Sequence, residues 1–411
     1  MPGPRFSIAI PTRDRESTLE FTIRTCLVQG FDDFEIVVAD NSTTSATRAL
    51  VDRLASPRIR YVRPPQPLAM TDNWEFAVSQ CQGEFITLIG SDDGLMLHSL
   101  AEMDRILRML GAKLLRWDAV CYNWPGLPVQ NAAQSHELLI PTKQADWYLP
   151  IHRHDARTKI RACINSEIPY SYLPMIYSSV IHRDLLEALR QKSGRVFQSV
   201  CPDIYSAFAF AHIAGSYYSL DAPLGINGIS HASNGLANVY LKDDNTPVSG
   251  DYWKLNAQSK IQVHPWIPKL MSLPVWTADS FQHAKEAVFP DDTELFCDRR
   301  QLIKTALSEL KASSEDEWCA AQQAVRESLA DDPELQKWFE DEYGRMPFSD
   351  YVPAPRHHLK RYGQTYLCLD ASEFGVTNVL EAAELCEKIL GFKRDGMNAH
   401  LRPEYRAPAP A

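Results

Sequence analysis

The hydrophobic positions of the first 123 residues fall into short unbroken runs, separated by segments with helical spacing. Phe6–Ile10 (FSIAI) is an apolar run stopped by Pro11 and predicts a strand. Between Asp14 and Gln29, Leu19, Ile23, Cys26 and Leu27 lie along one helical face, with Gly30 as terminator. Phe34–Ala39 (FEIVVA) predicts a second strand, closed by the turn and cap residues Asp40, Asn41 and Ser42. A helix to about Ala55 and a third strand, Ile59–Val62, precede a Pro-rich loop. A helix from Thr71 or Asp72 runs through Trp74, Ala77, Val78 and Cys81, and Gly83 ends it. Phe85–Ile89 (FITLI) predicts a buried strand with Ser91-Asp92-Asp93-Gly94 at its carboxyl end. A helix over Leu97–Leu110 then leads to a strand near Ala119–Asn123. Such alternation predicts an open, mostly parallel α/β sheet, whose ligands bind at the carboxyl ends of the strands.

Periodicity fades after that point. Residues 124–175 hold many Pro, Trp and Tyr and read as a loop-rich insertion. Val180–Gln191 and Pro202–Gly215 predict helices and Tyr217–Leu220 a strand. From about Gly250 the pattern is mostly helical, over Arg299–Lys311, Glu315–Ala330, Glu334–Tyr343 and Val376–Leu390. The expected organisation is a catalytic unit over residues 1–245, with halves 1–123 and 124–245, and a mainly helical region over residues 246–411.

Composition narrows the class. Of 411 residues, 45% are hydrophobic and 23% charged, which is globular rather than disordered. A net charge of −10 argues against non-specific binding to nucleic acid. Most of it is local, since residues 291–350 carry 16 acids against 7 bases. The longest weakly polar run, Ser206–Gly215, is about half of a membrane span. Nine scattered cysteines lack the spacing of a zinc knuckle or redox motif and read as reduced thiols. The expectation is a soluble, cytoplasmic protein without a transmembrane segment.

Asp92 and Asp93 are the first chemical candidates. Two neighbouring carboxylates after a buried strand repel one another and resist desolvation unless a cation compensates them. A divalent metal with a bound diphosphate would do so; a solvated Ser-Asp-Asp-Gly turn is the alternative. The first loop, IPTRDRES, lacks the glycines of a nucleotidyltransferase or a dinucleotide-binding turn.

FSIAIPTRDR, FEIVVADNS and NWEFAVSQCQGEFITLIGSDDG, in this order over roughly the first 110 residues, together resemble the family 2 glycosyltransferases. The resemblance implies a GT-A fold, a nucleoside-diphosphate sugar donor (UDP- or dTDP-linked), Mn²⁺ or Mg²⁺, and inverting transfer to an acceptor hydroxyl. It places Pro11, Thr12 and Arg13 at the base pocket and Asp40 as acceptor of a hydrogen bond from the base. Asp92 matches the ribose contact and Asp93 the metal ligand. Asp203, in Cys201-Pro202-Asp203, resembles the acceptor-side general base, and His231 is a candidate second metal ligand. Each has a plainer role open to it: Asp40 as cap of a helix from Thr43, Arg13 and His231 as surface residues, Asp203 as a helix-start acid. Trp147, Tyr148, Tyr170 and Tyr172 are candidates for an acceptor pocket. His152, His154, His357 and His358 read as surface. The alternative to an enzyme is a glycosyltransferase-like binding or assembly subunit without turnover.

Overall fold

β1 (Phe6–Thr12) is buried at all of its positions and therefore needs cover on both faces. In the computed structural model, which describes residues 3–127, 135–141, 151–231, 233, 247–310, 312, 314–351 and 366–390, it lies between two parallel neighbours. β2 (Phe34–Asp40) is on one side and β4 (Phe85–Leu88) on the other, and β3 (Ile59–Val62) extends the sheet beyond β2. The register sets Thr12 beside Asp40. Past β4 come the antiparallel β9 (Ser179–His182) and then β6 (Leu114–Asn123), which thus runs the same way as β4. β10 (Ser216–Ile229) pairs parallel with β6, with an irregularity between Leu220 and Gly225. Antiparallel β7 (Glu137–Pro141) and β11 (Tyr366–Asp370) continue that edge. Two short strands, β5 (Gly94–Leu95) and β8 (Ile151–Asp155), pair with β10. The core of the sheet is thus the mostly parallel α/β arrangement that the alternation predicts. It aligns the carboxyl ends of β1, β2, β4 and β6 along one edge.

Alternation along β1 divides the two faces. Ile8 and Ile10 join Leu19, Ile23 and Cys26 of α1 (Glu16–Leu27) and Leu100, Met103 and Ile106 of α4 (Ser99–Leu110). Ala9 points the other way, into a core with Trp74, Ala77 and Val78 of α3 (Met70–Gln80). α7 (Pro202–Ala214) fills that second core. It is buried continuously from Ile204 to Ala211, as a helix apolar all round must be. α5 (Ala156–Ile164), α6 (Arg183–Ser193) and α9 (Leu273–Val288) contribute to the same core. α2 (Ala46–Leu54) follows β2, and α8 (Pro247–Gln258) approaches α3.

The carboxyl-terminal helices α10 (Arg299–Glu309), α11 (Glu315–Ser328) and α12 (Pro333–Phe339) enclose a core of their own around Trp318, Val325 and Phe339. α13 (Val379–Leu390) instead returns to the first half of the chain. Its Glu387 accepts the Leu97 N–H at 2.9 Å and meets His98 Nδ1 at 2.7 Å.

Three stretches depart from the pattern-based expectation. Residues 124–175 contain β7, β8 and α5 rather than loop alone, because β7 and β8 owe their pairing to β11 and β10, far away in sequence. Val180–Gln191 is not one helix. Its start is the strand β9, which fills the gap between β4 and β6, and α6 begins at Arg183. His152 and His154 are half-buried on β8, where His152 Nε2 meets Asp221 at 3.1 Å and His154 Nε2 the Ser219 hydroxyl at 2.7 Å. His357, His358, Trp147 and Tyr148 lie outside the described residues. All nine cysteines are free thiols, and burial pushes those of Cys26 and Cys81 up to about 12. Among the described residues no helix is long and apolar enough to cross a membrane.

Phe208, fully buried on α7 and edge-on to Phe281 at 5.3 Å, joins the α7 and α9 layers. Phe208→Ala should cost about 3–5 kcal/mol. A urea titration should show this as a lower midpoint at unchanged slope.

Candidate active site

The chain leaves β4 at Leu88, and within five residues both carboxylates are buried. Backbone donors hold Asp93 from two sides. Gly90 N donates to its Oδ2 at 2.7 Å and Gly228 N to its Oδ1 at 2.8 Å. The Tyr177 hydroxyl donates to the same carboxylate. Asp92 Oδ2 accepts the Ser230 hydroxyl at 2.7 Å and the Ser233 hydroxyl at 2.6 Å. The turn's own carbonyls are tied as well: Trp124 Nε1 donates to Asp92 O and Thr22 Oγ1 to Asp93 O. Glycine is required at two of these positions. A Cβ on Gly90 would collide with the Tyr177 hydroxyl and come within 2.8 Å of Asp93 Oδ2. One on Gly228 would strike the Asp92 carbonyl.

Burial, and next the Asp92 charge, raise Asp93 to about 7 in spite of these donors. Burial also drives the Tyr177 phenol well above its ordinary value, with Asp93, Asp92 and Asp203 adding to the effect and Arg15 opposing it. Three acids from two separate segments therefore act electrostatically on one hydroxyl. Asp203 reaches this place as the second residue of α7, behind Pro202 at the first. Burial raises it, against the N–H groups of the first helical turn. Trp74 packs in the core as expected, and its ring stacks on Tyr177 at 5.3 Å.

The remaining candidates lie at the neighbouring strand ends. Asp40 is fully buried and accepts the Tyr61 hydroxyl at 2.6 Å, Arg63 Nη1 at 3.2 Å and the Ser42 N–H at 2.9 Å. It does not cap α2, which begins at Ala46 behind Ser45. Pro11 and Thr12 are buried beside it, and the Thr12 hydroxyl has no partner among the described residues. Arg13 donates to Asn41 O and to Asp251 Oδ2 on α8, both at 2.9 Å. The guanidinium thus lines a cleft with Gln66, Pro67, Leu68 and Lys254. His231 is exposed, although Ser230 and Ser233 of its loop are drawn in to Asp92.

Tyr177, Ser230, Ser233, Gly90 and Gly228 were not among the residues singled out from the sequence. Only the glycines carried a signal, in IGSDD and INGIS. Among the described residues no three His, Cys, Asp or Glu form a ready metal cage. The donor set nevertheless suits Mg²⁺ or Mn²⁺, since such an ion commonly takes one or two carboxylates and completes its shell with substrate phosphates and water.

Residues 7–105 match the model of Glycosyl transferase family 2. Over this stretch the chain is similar to glycosyltransferase family 2. Within the same stretch it is 30% identical over 103 residues to the GalNAc(5)-diNAcBac-PP-undecaprenol beta-1,3-glucosyltransferase of Campylobacter jejuni, covering 24% of this chain and 33% of that one. An uncharacterized Mycobacterium tuberculosis protein is 28% identical over 102 residues, covering 25% of this chain and 32% of the relative. The match thus spans about a third of the length of either curated relative. Solved structures to which the chain is similar include S. aureus TarS 1–349 in complex with UDP-GlcNAc. It has 15% identity, a TM-score of 0.45, and 83% and 92% of the two chains covered. Another is the mannosyltransferase PcManGT from Pyrobaculum calidifontis in complex with GDP-Man and Mn²⁺. That one has 14% identity, a TM-score of 0.38, and 82% and 83% covered. The family 2 segment contains β1 to β4, Asp40, Asp92 and Asp93; Tyr177, Asp203 and Gly228 come from outside it.

Two outcomes follow from this turn. Because Asp93 is raised in the folded state, folding favours its protonated form. The ligand-free protein should therefore lose stability as pH rises from about 4 to about 7, reading its folded value against an ordinary carboxylate. Asp93→Asn should flatten that part of a melting-temperature profile. Gly90→Ala should cost about 1–3 kcal/mol through overpacking, and a double-mutant cycle with Tyr177→Phe, which removes the hydroxyl in the way, should recover part of it.

Proposed function

We propose that the protein is an inverting glycosyltransferase that moves a sugar from a nucleoside diphosphate to an acceptor hydroxyl. The observation that carries this reading is the convergence of Asp92, Asp93 and Asp203 on Tyr177 at the carboxyl end of the sheet. UDP- or dTDP-sugars are the proposed donors. Pro11, Thr12 and Arg13 would line the base, Asp40 would accept its hydrogen bond, and Asp92 would meet the ribose. Asp93 would hold Mn²⁺ or Mg²⁺, with His231 as a second ligand. The ion, when bound, offsets charge on the diphosphate as it departs. We assign transfer to residues 1–245, with residues 246–411 as the accompanying helical region. The free thiols suit a cytoplasmic setting.

Asp203 acts on the acceptor. Its carboxylate takes the hydroxyl proton while that oxygen bonds to the anomeric carbon and the carbon–oxygen bond to the diphosphate breaks. Burial raises Asp203 above the ordinary carboxylate range, which makes it a stronger base. The acid limb of kcat/KM should therefore fall at a higher pH than an exposed aspartate would give. Tyr177 keeps its proton throughout, since its phenol lies well above its usual value, and serves to fix Asp93.

Asp203→Asn should lower kcat about 10²–10⁴-fold while nucleotide affinity, read by calorimetry, stays the same. Transfer at the wild-type rate would remove Asp203 from the mechanism. Asp93→Ala should abolish the Mn²⁺-dependent part of donor binding. Tight donor binding without turnover against a broad acceptor panel would instead mark a binding subunit.

A further inference from the structure

A cavity of about 270 Å³ lies against the half of the sheet away from Arg13 and Asp40, near the small end of the range for small-molecule pockets. The strand order β2, β1, β4, β9, β6 arranges the edge in sequence. Arg13 and Asp40 stand at the ends of β1 and β2, the carboxylate pair follows β4, and the cavity opens beside β6. Three of its lining residues lie near Asp93 or next to groups that touch it. Asn227 precedes Gly228, Ser178 follows Tyr177, and Cys121 is close enough for Asp93 to help burial raise its thiol to about 11. The opposite wall comes from the C-terminal region: Leu273, Pro274 and Thr277 of α9, and Leu302, Thr305 and Glu309 of α10.

The chemistry of the lining is specific. Arg116 and Asp118, with side chains 6% and 5% exposed, form an ion pair at 2.5 Å, and Arg116 Nε donates to Ser171 O at 2.7 Å. Among the described residues the only other charged lining residue is Glu309. Because the single guanidinium is already bound to a carboxylate and a carbonyl, the lining does not favour a phosphate or a carboxylate ligand. Tyr170 and Tyr366 present half-buried rings. Asn227, Thr277 and Ser178 supply neutral donors and acceptors, and the Ser178 hydroxyl, 3% exposed as a residue, has no partner among the described residues. A ring with an apolar face and hydroxyls that both donate and accept satisfies such a lining.

We propose that this cavity binds the acceptor of the transfer as an uncharged glycosyl residue, held between the catalytic sheet and the helices α9 and α10. This rests on the glycosyltransfer reading above. It also gives the C-terminal helices a direct part in acceptor choice, beyond the family 2 segment.

The test uses the full chain, UDP, dTDP and GDP with Mn²⁺ as nucleotide probes, and methyl glycosides of glucose, galactose, mannose and N-acetylglucosamine as acceptor probes. Saturation-transfer NMR should show the wild type binding at least one glycoside. Thr277→Trp, which fills the cavity from α9, should weaken it at least about tenfold while nucleotide affinity stays the same. Tyr170→Ala, which removes a ring without adding bulk, should weaken it likewise and covers a failure of the tryptophan variant to fold. Nucleotide binding with no glycoside binding, or glycoside binding unchanged in both variants, would overturn the cavity assignment alone. Failure of the wild type to bind any nucleotide would overturn the glycosyltransfer reading, and the cavity assignment with it.

Discussion

Placing two adjacent carboxylates away from water requires that almost every neighbouring group be a donor, and the region after β4 is built around that demand. Asp93 consumes two backbone N–H groups and a phenol, and Asp92 two serine hydroxyls. Those donors reach the acids only because Gly90 and Gly228 leave no side chain in the way. The backbone of the same turn is fixed by Thr22 and Trp124. On the next residue, Gly94 leaves room for Val379 at the start of α13. Even the return of the C-terminal helix thus bears on the acidic turn.

The donors are still insufficient to neutralise the pair, as the raised Asp93 shows. That residual excess of negative charge is what a bound cation would relieve. At the neighbouring strand ends the balance is different. Asp40 is matched by Arg63 and Tyr61, and Arg13 by Asp251. Uncompensated charge is therefore concentrated at the end of β4, between the proposed base end and the cavity beside β6.

The first four strands were legible because each is a short apolar run that must be covered on two faces, and a parallel sheet with crossover helices does this. Asp92 and Asp93 were legible because an acidic pair directly after such a run is costly in isolation. Asp203 stood out through the family resemblance, since Pro and an acid together mark by themselves only a helix start. Tyr177, Ser230 and Ser233 were not legible, since nothing local distinguishes them from other polar residues of loops and short turns. Val180-Ile181 suited a helix or a strand equally, and the open position between β4 and β6 decided for a strand. β7 and β8 likewise depend on partners more than sixty residues away in β10 and over two hundred away in β11.

The amino-acid sequence by itself determined the alternating α/β half and the types of acid at its carboxyl edge, because burial patterns and turn chemistry act over a few residues. Only the tertiary structure decided which distant groups complete the site. Tyr177 before β9 and Gly228 on β10 meet Asp93 because the sheet brings these segments together. It also decided that α9 and α10 wall a cavity beside β6. The physical reason is that desolvation and charge repulsion depend on everything within a few ångströms, and chain separation says little about that distance.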